Sequence, residues 1–203
     1  MRKNRFLGLA VGSVAATASA AAPAALATQP ASANFGSSPG GGSPHNEVSL
    51  ANNKWHIYSY HNAPSAWRTA LDDAVFWSYQ PTDLVLSKYA DGSNNVDVRV
   101  DVGNHGTGAF GWVYCPTDGI RSGTDPNESC FGQWLKIDTG TATGLDADGR
   151  KAVMCHEFGH TVGLLHANGE AHSGDTCIST FPDFGFDDTG LHQHDIDHIN
   201  SEY

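Results

Sequence analysis

The 203-residue chain is short of positive charge: 11 Lys and Arg stand against 22 Asp and Glu, a formal net charge of −11. So acidic a surface argues against nucleic acid or an anionic membrane as partner, because both repel it. Its simplest consequence is solubility. Methionine is scarce, with only Met1 and Met154. Cysteine is missing before Cys115, which excludes lipid attachment at an N-terminal cysteine, and no C-x-x-C pair is present to suggest a zinc knuckle. Beyond residue 33 no stretch approaches the roughly 20 consecutive apolar residues that a membrane-spanning helix needs. No internal repeat is visible.

What is present begins with a basic start, Arg2, Lys3 and Arg5, followed by the apolar run "FLGLAVGSVAATASAAAPAALA" and two small-x-small sites, Ala25-Leu26-Ala27 and Ala31-Ser32-Ala33. That order of charge, apolar run and small residues reads as a secretory signal peptide over residues 1–33. The run is mostly Ala, Ser, Thr and Gly and contains Pro23, which suits a signal better than a spanning helix. Its removal takes three cations and no acid, so the net charge moves from −11 to −14. A secreted, extracellular, monomeric product is expected.

All four cysteines lie in the exported part, so two disulfides are expected among three connectivities, with proximity favouring Cys115 with Cys130 and Cys155 with Cys177. Residues 34–53 are rich in Gly, Ser, Pro and Asn and read as a flexible arm or short pro-segment. Residues 54–203 are long enough for one buried core. Within them "WHIYSY" (55–60) and "LVLSKY" (84–89) have strand composition, and Pro64 opens a helical pattern that should end near Pro81. "VDVRVDV" (96–102) alternates Val with Asp or Arg, predicting a half-buried strand. The glycine-rich stretch 103–114 predicts a loop running into an edge strand from about Phe110 to Tyr114, and "QWLKID" (133–138) another strand. A long helix follows, with Asp146 or Asp148 as N-cap, and a short one closes the chain. The fold class is α+β.

The chemistry concentrates in "HEFGHTVGLLH" (156–166). His156 and His160, four apart on a helix, project from one face and can grip one ion. Glu157 is offset around the helix, which suits a carboxylate acting as general base on a water rather than as a ligand. Gly163 can take positive φ, end the helix and return the chain so that His166 becomes a third ligand. A catalytic zinc has three protein ligands and one open position, and it lowers the pKa of a bound water to about 7. Composition alone would produce this five-position pattern in roughly one such chain in ten thousand.

At His156, Glu157, His160, Gly163 and His166 the chain resembles the metzincin metalloproteases, whose signature is H-E-x-x-H-x-x-G-x-x-H. The element order over residues 54–203 is similar to that of matrixin-like members. The resemblance implies a twisted, mostly parallel sheet of about five strands with an antiparallel edge strand, three helices, and a cleft above a small C-terminal subdomain. It also implies a secreted zinc endopeptidase with an extended polypeptide substrate paired to the edge strand near Phe110. The chain departs from the family pattern where a methionine turn is expected: in "DTCISTF" (175–181) the matching position is Ile178. After His166 the only tyrosine is Tyr203, which disfavours a tyrosine ligand, and a matrixin-type cysteine switch has no cysteine to use. Snapalysin-like small secreted proteases are a neighbouring branch, but they carry Asp where His166 stands.

Other features have plainer readings. "DADG" (146–149) lacks the residues an EF-hand needs at 150 and 151 and reads as a helix cap, though calcium held elsewhere by Asp and carbonyls is compatible with the resemblance. His194 and His198 have ligand spacing but no adjacent glutamate, and read as surface histidines. The rival to a protease is a non-catalytic secreted zinc-containing binding domain, which would have no use for Glu157.

Overall fold

The computed structural model describes residues 34–38, 48–124, 127–167, 175–179 and 190–203, all within one compact unit, Ala31–Tyr203. The expected signal peptide and the middle of the expected arm lie outside the described residues. The architecture is α+β. A five-stranded mixed sheet has the order β2-β1-β3-β7-β4, from β1 (Trp55–Asn62), β2 (Val85–Lys88), β3 (Val98–Gly103), β4 (Gly111–Tyr114) and β7 (Gln133–Asp138). Three neighbouring pairs are parallel, and β4 closes the sheet antiparallel to β7, with Gly111 opposite Ile137 and Tyr114 opposite Trp134. A two-stranded hairpin, β5 (Ile120–Ser122) with β6 (Ser129–Phe131), stands beside it. Nothing in the sequence pattern had predicted that hairpin.

The helices follow the sequence pattern. Helix α1 (Ser65–Ala74) starts after Pro64, whose fixed φ suits a helix start, and buries Trp67, Ala70, Leu71 and Ala74. It runs into a π-helical segment, Val75–Tyr79, which stops two residues short of Pro81. Helix α2 (Ala147–His160) is capped by Asp146, whose side chain accepts from the Gly149 amide at 2.9 Å. The acidic "DADG" stretch is therefore a helix cap. Helix α3 (Gln193–Glu202) closes the chain. Among the described residues no helix is long and apolar enough to cross a membrane.

One face of the sheet makes the core. Tyr58 and Tyr60 of β1, Val98, Val100 and Val102 of β3, and Leu135 and Ile137 of β7 pack with Leu71 of α1 and Val153, Met154 and Phe158 of α2. Each fully buried aliphatic or aromatic side chain of this kind contributes about 1.5–3 kcal/mol relative to exposure. The other face differs from expectation. The alternation in 96–102 predicted an open polar side, yet Asp97 and Arg99 are buried as fully as the valines. The reason is cover from the 115–132 segment: Arg99 donates to both carboxylate oxygens of Asp118, at 2.8 and 3.2 Å, and to the Gly132 carbonyl, while its guanidinium lies over Trp134. Asp97 accepts from the Ile57 amide at 2.7 Å, and burial raises its carboxyl to about 6.

Both disulfides join the partners that proximity favoured, Cys115–Cys130 and Cys155–Cys177. Parts of the expected arm are built into the body. Phe35 pairs with Leu164, Ser38 with Val48 and Leu50 with Ser129, and Asn34, Val48 and Leu50 are buried.

Candidate metal centre

Helix α2 ends at His160, and two residues past its cap Thr161 the chain reaches Gly163 at φ 94°. That conformation is strained for any residue with a Cβ, and here a Cβ would also stand 2.4 Å from Leu50 Cδ2. The turn brings His166 back beside the helix. His156 Nε2 lies 3.1 Å from both His160 Nε2 and His166 Nε2, and one nitrogen from each ring falls within 4.8 Å of the others. Among the described residues this is the one group of three or more His, Cys, Asp or Glu side chains drawn together in this way.

The outer nitrogens decide what the inner ones can do. His156 Nδ1 meets the Cys177 carbonyl at 2.8 Å and His160 Nδ1 meets the Leu164 carbonyl at 2.6 Å. A carbonyl only accepts, so each Nδ1 carries the proton and each Nε2 presents a lone pair. Two lone pairs 3.1 Å apart repel unless a cation or a proton lies between them. Burial, then the neighbouring His166, hold His156 down to about 4, and burial with its histidine neighbours holds His160 well below its ordinary value. Neutral rings with converging lone pairs therefore fit a metal cation. Imidazole nitrogens sharing a tetrahedral ion at about 2.0–2.1 Å stand roughly 3.3 Å from each other, close to the spacing seen.

Glu157 follows the first histidine and turns toward the sheet. It is 5% exposed, its Oε2 has no hydrogen-bond partner, and burial pushes the carboxyl up to about 8. A cation nearby favours the ionised form and pulls such a value down. Its neighbour is Gly111, first residue of the edge strand β4: a Cβ there would lie 2.7–2.8 Å from Glu157 Cγ, Cδ and Oε1. Sequence reasoning treated this glycine only as part of a loop entering an edge strand. Its role as the space that Glu157 occupies needs the tertiary contact.

No family model and no curated protein matches the chain. Among solved structures, a chain from the GM1 bound form of the ECX AB5 holotoxin is similar at 13% identity, over 78% of this chain and 85% of that chain, with a TM-score of 0.47.

Ile178 is fully buried against the last turn of α2: a Cβ on Gly159 would strike its Cδ1 at 2.3 Å, and its carbonyl accepts from the Ala167 amide. Tyr203 stays out of the metal cluster, accepting from the Ala51 amide at 2.8 Å and donating to the Val162 carbonyl at 3.0 Å. His194 and His198 are not free surface groups. Their rings meet at 4.4 Å, and His198 stacks on Phe35 at 5.3 Å, because the N-terminal segment covers that side of α3. His105 rests edge-on against Trp112.

Proposed function

We propose that this chain is a secreted zinc-dependent endopeptidase of metzincin-like design, with His156, His160 and His166 as ligands and Glu157 as general base. The observation that carries this reading is the convergence of three imidazoles on one point, with a buried carboxylate, Glu157, directly after the first of them in the chain. Zinc bound there would supply Lewis acidity, polarising a carbonyl and making water nucleophilic near neutral pH. The three histidines leave one ligand position open on a tetrahedral ion, as a catalytic rather than a closed structural site requires.

In this reading the Glu157 carboxylate accepts the proton of the attacking water and delivers it to the departing amine. In the same reading an extended polypeptide lies along β4, the last strand in the sheet order, where main-chain hydrogen bonds need little sequence specificity. Two disulfides suit an oxidising, extracellular setting. A binding domain that merely keeps a metal would gain nothing from a buried carboxylate next to its first ligand, at the cost of burying it.

The test is unfolded casein incubated with the purified chain and with Glu157→Gln, with and without a chelator. Wild type should cleave and lose activity on chelation, and the variant should be at least 100-fold slower while holding the same zinc. Equal cleavage by both, each with one zinc bound, would sink the assignment of Glu157 and of the protease.

A further inference from the structure

Two segments orient the histidines, and both are held by the same buried carboxylate. The first segment is 175–179, whose Cys177 carbonyl accepts a hydrogen bond from His156 Nδ1. The second is the turn 163–165, whose Leu164 carbonyl accepts from His160 Nδ1 and which leads directly to His166. The turn does not stand alone. Asn34–Gly36 runs antiparallel along it, with the Leu165 amide donating to the Asn34 carbonyl at 2.7 Å and the Gly36 amide to the Gly163 carbonyl at 2.9 Å.

Asp195, near the start of α3 and fully buried, reaches both. Its Oδ1 accepts from Asn34 Nδ2 at 3.1 Å, and its Oδ2 accepts from Thr176 Oγ1 at 2.6 Å and from the His192 amide at 3.2 Å. A buried carboxylate is stable only when hydrogen bonds compensate it, so each of these donors is held firmly in place. Capping α3 accounts for the His192 contact alone. The contacts to Asn34 and Thr176, 161 and 19 residues away, do something else.

We infer that Asp195 and Asn34 are positioning residues for the metal centre: one carboxylate ties the support of His156 to the support of His160 and His166. The inference rests on the metal reading of the three histidines. Groups that orient metal-binding histidines are worth 10–100-fold in affinity when lost, and Asp195 acts one bond further out, so its loss belongs at the lower end.

The decisive comparison uses the chain purified from culture medium, its Asp195→Asn variant, and the swap Asn34→Asp with Asp195→Asn. In the single variant the new amide meets Asn34 Nδ2 donor against donor, and relieving that requires the Asn34 side chain to turn over and present its Oδ1. In the swap that amide donates to Asp at 34, while its carbonyl oxygen still accepts from Thr176 and His192. Zinc affinity by chelator competition and the visible spectrum of the cobalt(II)-loaded chain are read for all three, alongside casein cleavage. The single variant should bind zinc about tenfold more weakly with an altered cobalt spectrum, and the swap should return to within about threefold of wild type. Thr176→Val gives a milder version should the single variant fail to fold, and should weaken zinc binding several-fold. Affinity and spectrum unchanged in Asp195→Asn, or no recovery in the swap, would overturn the inference. A wild type that binds zinc tightly, responds to these variants and leaves casein intact would overturn the protease reading alone. A wild type that binds no zinc overturns both.

Discussion

Gly111 and Glu157 show how narrow the margins are at the scale of one residue. The glycine sits in a strand with no unusual φ, so its need is purely one of space: a single methyl would lie 2.7–2.8 Å from three atoms of Glu157. Gly111→Ala should therefore displace the carboxylate, lowering casein cleavage at least tenfold while zinc content stays at wild-type level. Overpacking of this kind should also cost about 1–3 kcal/mol in stability, measured by urea unfolding. Cleavage at the wild-type rate would show that Glu157 does not need its present position. Gly163 is a different case, because there conformation and space act together.

At the scale of elements, the centre depends on the end of α2 and on the segment beneath it. The Cys155–Cys177 disulfide joins them, from the residue before the first ligand to the residue whose carbonyl orients that ligand. Closing a loop with a sequence separation of 22 residues is worth about 3 kcal/mol in the chain-entropy account. The pair of substitutions Cys155→Ala and Cys177→Ala should lower stability by about that amount and weaken zinc binding, since His156 Nδ1 loses a fixed acceptor. The corresponding loss of Cys115–Cys130, which tethers the hairpin region instead, should lower stability and leave zinc affinity close to wild type. Chelator competition on both variants separates the two roles, and equal loss of zinc affinity in both would count against a specific tie at the floor.

For the whole molecule the testable property is acid response, because several buried titratable groups lie outside the metal centre. His56 is fully buried under α2, with its Nε2 2.9 Å from Thr161 Oγ1 and its ring edge-on to Phe158, and burial lowers it to about 3. A base with a lowered folded pKa gives stability that is complete above its unfolded value of about 6.5 and is lost as pH falls toward 3. Asp138 acts in the same direction at lower pH. Burial alone would raise it, but amides of Thr107, Gly140 and His105 and the Thr107 hydroxyl hold it down to about 2, so its contribution is lost between about 4 and 2. Asp97 works the opposite way, since burial raises it and its contribution falls as pH rises through about 6. In the chelated protein His156 and His160, also held down by burial, act in the same direction as His56 and together outweigh Asp97, so unfolding midpoints should decline from pH 6.5 to pH 4, and His56→Gln should flatten that decline. A variant with the same slope as wild type would remove His56 from the account.

The sequence by itself determined the local parts of this molecule. The spacing of His156, Glu157, His160, Gly163 and His166 is legible because ligand geometry on a helix depends only on 3.6-residue periodicity and one positive φ. The strands with strong alternation and the Asp146 cap are legible for the same reason, as is the pairing of cysteines close in the chain. Tertiary structure decided whatever joins distant segments. It covered Asp97 and Arg99, paired Asn34–Gly36 with the turn 163–165, and reserved the space at Gly111 for Glu157. It also brought Asn34, Thr176 and Asp195 together across the full length of the domain. No periodicity records such contacts, because each depends on where another element packs rather than on the residues beside it.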